Sequence, residues 1–168
     1  VHGQAILADY SNYQGGAFLI SLAQPRGEAW TLAGLELADV DLAVRAEMLS
    51  GPEDNAFGLI CRYQDPANYI FFLISSDGYA GIGQVQGGQR RLLSGSTLLP
   101  SPAIRQGAAQ NDLRALCDGN ILKLYVNRVQ VLEARTQLRA PGDVGLLALS
   151  YDEPGVVIAF DDFELRNP

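Results

Sequence analysis

The sequence predicts an all-β domain: roughly twelve short strands in two antiparallel sheets packed face to face, with little or no helix. Three observations carry this. Apolar and polar residues alternate with period two along 40–49, 57–64 and 122–126, the pattern of strands whose successive side chains point to opposite faces. Gly and Pro punctuators, such as Gly51-Pro52, Asp77-Gly78, Gly87-Gly88 and Pro141-Gly142, recur at about the 8–12 residue spacing of sandwiches and barrels. No sequence repeat of fixed period points to a solenoid or propeller instead.

Taken in order, the predicted strands are 17–22, 28–32, 40–49, 56–64, 69–75, 79–86, 90–94, 111–117, 121–126, 129–134, 144–150 and 156–165. Gly15-Gly16 opens the first. Five apolar residues in strict alternation, Val40 to Met48, favour strand over helix despite good helix formers nearby. Residues 69–74 are apolar on both faces, so that strand is central, with its second face covered by a loop or lining a groove. Asp77-Gly78 and Gly87-Gly88 read as hairpin turns. Residues 108–119 also fit a helical stripe ending at Gly119, and strand is the favoured reading. In the last run Val156, Ile158 and Phe160 share one face and Phe163 and Leu165 follow out of phase, which predicts a bulge at Asp161–Asp162.

Composition bounds the function. The 168 residues make one domain, residues 1–168 with a core over about 15–166, long enough to fold without metal or dense disulfides. A start at Val1 and an Arg-Asn-Pro end suggest a domain excised or processed from a larger exported chain. The net charge of -7 argues against nucleic acid and anionic membranes as partners, and no apolar run is long enough for a membrane span. The one histidine, His2, leaves no basis for Ser/His/Asp triads, Cys/His dyads or multi-His metal sites.

Four ordered stretches carry a family resemblance. They are FGLICRYQDPANYIFFLISSDGY from Phe57 to Tyr79, NDLRALCDGNILKLYVN from Asn111 to Asn127, GDVGL from Gly142 to Leu146 and AFDDFEL from Ala159 to Leu165. This order resembles bacterial exported domains of the concanavalin A-like lectin/glucanase superfamily, including laminin G-like modules and 3-keto-disaccharide hydrolase-like jelly rolls. Arg128 departs from the pattern, where glycine often follows the Asn of this hairpin. The resemblance implies a jelly-roll sandwich in a cell-surface or extracellular protein. It leaves function open, because this fold hosts lectins, glycosidases and adhesion modules.

Cysteines are common in such domains at the places of Cys61 and Cys117, both on inward parity. The resemblance therefore implies a disulfide worth about 4 kcal/mol in the loop-entropy model and an oxidising compartment. Two buried free thiols are the other reading. Structural calcium in related sandwiches makes Asp161, Asp162 and Asp39 candidate oxygen ligands, with Asp41, Asp9 and Glu164 nearby in pattern; no other cofactor is implied. The competing fate is that Asp161 or Asp162 caps the bulge and the others are solvated.

Ligand candidates are Arg45, Arg62, Arg114 and Tyr125, on outward parity of strands that can be neighbours, with Trp30 and Tyr79, and also Tyr63, Tyr69 and Tyr151, as further aromatic platforms. A solvated face of Arg–carboxylate pairs is the plainer reading of the arginines. Tyr63, on inward parity, is assigned to the core. The Glu-x-Asp-x-Glu pattern of laminarinase-type relatives is missing, since Glu36, Asp39 and Asp41 lack that spacing. The expected role is a non-catalytic binding or adhesion module for carbohydrate or protein. The alternatives are a structural subunit that self-associates through strand edges and a glycoside-acting enzyme.

Overall fold

A computed structural model describes residues 2–6 and 10–168, with side chains from residue 15 onward. Among the described residues there are fifteen strands and no helix. They are β1 (His2–Ile6), β2 (Tyr10–Gln14), β3 (Ala17–Leu22), β4 (Glu28–Leu32), β5 (Val40–Ser50), β6 (Asn55–Asp65), β7 (Asn68–Ile74), β8 (Tyr79–Gln86), β9 (Gln89–Leu92), β10 (Leu99–Pro100), β11 (Asn111–Asp118), β12 (Ile121–Val126), β13 (Val129–Arg135), β14 (Asp143–Ser150) and β15 (Val156–Arg166). All twelve predicted strands are present. The three additional ones, β1, β2 and β10, are short and carry no apolar alternation in their sequences HGQAI, YSNYQ and LP.

Two antiparallel sheets form a sandwich. Sheet A runs β1-β4-β14-β6-β7-β8-β10, with β9 also paired to β8; sheet B runs β13-β12-β11-β5-β15-β3-β2. The main core lies between them, where Phe57, Leu59 and Cys61 of β6 and Ile70, Phe72 and Ile74 of β7 join the predicted inward set of β5. The other face of β7 is buried as well. Tyr69, Phe71 and Leu73 belong to a second cluster, on the outer face of sheet A, with Trp30, Ile60 and Leu147. A two-faced apolar strand is thus central, between β6 and β8. Cys61 and Cys117 form the disulfide, which ties β6 of sheet A to β11 of sheet B across a sequence separation of 56.

Among several register shifts, two bulges bear on the candidate residues. In β15 the register with β5 shifts between Asp161 and Glu164, with Asp162 at φ 52°, where the sequence predicts it. In β6 the register with β7 shifts after Cys61, and Arg62 takes φ 51°. This second bulge corrects two expectations. Arg62 turns inward and is 1% exposed, and Tyr63 turns onto the outer face of sheet A. Simple alternation fails there because the extra residue reverses the parity of everything after it. Gly142 packs against this bulge so closely that a Cβ would lie 2.5 Å from the Arg62 carbonyl carbon, which requires glycine.

Candidate functional site

The outer face of sheet B holds Arg45, Arg114 and Tyr125 around a hollow of about 390 Å³. Outward alternation of β5, β11 and β12 brings them together as the sequence predicts. Each arginine already has carboxylate partners. Arg114 donates Nε and Nη2 to the two oxygens of Asp41 at 2.8 and 2.7 Å and lies over the Tyr125 ring, 4.9 Å from its centroid. Arg45 sits 2.9 Å from Asp162 and 3.5 Å from Asp112. Pairing of opposite charges cancels the local charge, so this face is a checkerboard of ion pairs and not a cationic platform.

Arg62 is not on that face. Its guanidinium donates to Ala38 O at 2.6 Å, Leu138 O at 3.0 Å and Asp39 Oδ1 at 3.0 Å. Burial pulls its pKa below the usual arginine value, and Asp39 offsets part of that effect.

The acidic candidates are dispersed. Asp39 accepts from Arg62 and from the Gly119 amide. Asp161 caps the β15 bulge by accepting the Asp162 amide at 2.8 Å, and Asp162 pairs with Arg45. Among the described residues no three acidic, His or Cys side chains converge on a point where they could hold a metal ion; Asp9 lies outside the described residues.

The outer face of sheet A offers a different arrangement. Three hollows follow the direction of β7, from Tyr69 toward Ser75, a span of about 20 Å. The first, about 210 Å³, is lined by Glu28, Trp30, Tyr69 and Arg90. The second, about 520 Å³, shares Arg90 and adds Phe71, Leu73, Leu149 and Tyr151. The third, about 620 Å³, shares Tyr151 and Leu98 and adds Asp54, Asp77, Tyr79 and Asp152. Together they form one groove with an apolar middle and polar ends. Trp30 and Tyr79, both predicted, lie on this face, one at each end; the structure does not bring them together with the arginines of sheet B.

At the first end Trp30, Tyr63 and Tyr69 form an aromatic triangle with ring centroids 5.5 to 6.4 Å apart. Trp30 Nε1 and Tyr63 Oη are buried without a hydrogen-bond partner of normal geometry among the described residues. Tyr69 Oη donates to Glu28 Oε1 at 3.0 Å and accepts from Arg90 Nη2 at 2.7 Å; Arg90 also pairs with Glu28 and stacks over Phe71. Burial and then the Glu28 charge push the Tyr69 phenol up to about 12. At the far end the half-exposed Tyr79 ring and Tyr151 flank Asp54 and Asp77. Burial, then Asp77, Asp152 and Glu153, raise the Asp54 carboxyl above the usual range, and Ser75 hydrogen-bonds Asp77.

Arg90, Glu28, Asp54 and Asp77 are absent from the sequence-based candidates. One signal for Arg90 was available. The two-residue Gly87-Gly88 turn pairs Val85 with Arg90, and Tyr69 pairs with Val85, so the three share a face. Nothing in the sequence joins Asp54 and Asp77 to Tyr151, because the β7–β8 hairpin turn and two connections that pass between the sheets, β5–β6 and β14–β15, bring them together.

No protein-family model matches the chain, and no curated protein sequence matches it. Solved structures do. A carbohydrate binding module, CBM66, from Bacillus subtilis superposes with a TM-score of 0.76 at 14% identity, covering 94% of this chain and 91% of that one. A Bacillus licheniformis β-glucanase gives 0.72 at 10% identity over 99% and 92%. Sheep galectin-11, in complex with glycerol, gives 0.55 at 16% over 87% and 100%. At these identities the likeness is one of fold: the chain folds as a concanavalin A-like jelly roll.

Proposed function

We propose that the chain is an exported carbohydrate-binding module that holds a linear glycan in the groove on the outer face of sheet A. The observation that carries this reading is the groove itself: the accessible rings of Tyr79 and Tyr151 at its far end, Arg90 and carboxylate groups along its walls, and beneath them the buried apolar layer of Trp30, Tyr69, Phe71 and Leu73. Flat aromatic and apolar surface suits the C–H faces of sugar rings, and carboxylates and guanidinium groups bond their hydroxyls. The carbohydrate-binding module among the structural neighbours supports the ligand class, and the disulfide supports an oxidising, extracellular setting. A glycan array read with the disulfide-bonded protein tests the proposal. Binding to one related set of polysaccharides is expected, and a clean negative across the array counts against it.

One observation favours a second reading, a glycoside-acting enzyme. Asp54, whose carboxyl is raised above the usual range, lines the same hollow as Asp77, and two carboxyl groups in one hollow are what glycoside hydrolysis requires. Release of reducing ends from the bound glycan, abolished in Asp54→Asn, would establish it; a glycan bound and never cut leaves the module reading standing.

A further inference from the structure

Arg62 and the aromatic end of the groove lie on opposite faces of sheet A, yet one bulge sets both. Arg62 at φ 51° occupies the left-handed region, which costs a non-glycine residue free energy and persists only where the surroundings hold it. Here the holding is explicit. The buried guanidinium bonds two carbonyls, on the segments before β5 and after β13, and the Asp39 carboxylate. No other described side chain of its size is so completely enclosed. With Arg62 clamped inward, the next residue must point outward, and Tyr63 joins Trp30 and Tyr69 behind the groove's first hollow. A strand without the bulge would send Tyr63 into the inter-sheet core and Arg62 out, as plain alternation predicts.

We infer that Arg62 is a positioning residue for the groove: its buried clamp fixes the β6 bulge that places Tyr63 against Trp30. The inference rests on the carbohydrate reading for its functional meaning but not for its test. Trp30 is the sole tryptophan of the chain, so its emission reports this corner without any ligand.

The test compares Arg62→Met and Arg62→Lys with a Cys61→Ala/Cys117→Ala double variant, each confirmed as folded by far-UV circular dichroism. In Arg62→Met the Trp30 emission is expected to shift to the red, with stronger quenching by acrylamide. Arg62→Lys, which keeps a buried cation, restores part of the native signal. The cysteine variant melts at lower temperature but keeps the Trp30 emission. Native emission in Arg62→Met overturns the inference. So does a cysteine variant that shifts Trp30 equally, since general loosening would then explain both. Should Arg62→Met not fold, Asp39→Ala removes one of the three clamp partners; a smaller red shift is expected, and unchanged emission counts against the clamp. With laminarin as a probe, affinity should fall in step with the Trp30 shift. Unchanged laminarin affinity in a variant whose Trp30 has shifted would overturn the functional part of the inference. A wild-type protein that binds no polysaccharide sinks the carbohydrate reading and leaves the emission result to decide the clamp.

Discussion

Tyr69 shows how a single side chain can join structure to solution behaviour. Its phenol is buried beside Glu28, both of which favour the neutral form, and its pKa rises to about 12. An unfolded tyrosine ionises near 10. The folded state therefore holds this proton more tightly than the unfolded state. The resulting stability is fully present below about pH 10 and is lost as pH climbs toward 12. Urea unfolding should accordingly show the wild type losing stability across that window, with a shallower loss in Tyr69→Phe. Parallel loss in both proteins would mean that other groups control the alkaline transition. The residue scale is also where sequence reading failed most instructively. Arg62 and Tyr63 exchanged their expected faces because one left-handed residue inverts the parity downstream, and nothing in a lone Arg-Tyr pair advertises that. Cys61, one residue before the bulge, kept its predicted face and its predicted partner.

The elements themselves were far more legible. Alternation fixed β5, β6 and β12, paired glycines and Asp-Gly fixed the hairpins, and the odd step at Asp161–Asp162 located a bulge that β15 indeed carries. Strands β1, β2 and β10 were illegible because they lack alternating apolar residues. At this scale the disulfide is the most consequential link, since it joins the long strand β6 to β11 of the opposite sheet. Removing it as Cys61→Ala/Cys117→Ala should cost about 4 kcal/mol by the loop-entropy relation. Equilibrium denaturation of the folded double variant checks this, and a loss under about 1 kcal/mol would mean that the close-packed core alone constrains the sheets. The strand directions also explain the groove. It follows β7, whose outer residues Tyr69, Phe71 and Leu73 make its floor, while β9 and the loop carrying Leu98 rise on one side and Tyr151 on the other.

Across the whole molecule the two outer faces divide the charge differently. Sheet B spreads arginines among carboxylates in close pairs, which suits a solvated surface. Sheet A gathers rings along a groove and sets its carboxylates at both ends, Glu28 at one and Asp54, Asp77 and Asp152 at the other. The net charge of -7 conceals both arrangements. Sequence reasoning found the arginine face because parity on regular strands suffices for it. It named Tyr69, Tyr79 and Tyr151 singly but did not group them with Asp54 and Asp77, which come from separate loops whose meeting depends on the full sandwich. The two faces therefore make opposing predictions for a ligand. Affinity electrophoresis of Tyr79→Ala/Tyr151→Ala against Arg114→Ala, run through gels containing the polysaccharide that the wild type binds, tests the central claim most directly. The loss of two stacking rings should weaken retention by about 1–3 kcal/mol, or roughly 5- to 150-fold, while Arg114→Ala migrates like the wild type. Normal retention of the tyrosine variant with loss of retention in Arg114→Ala would place the ligand on sheet B and contradict the account.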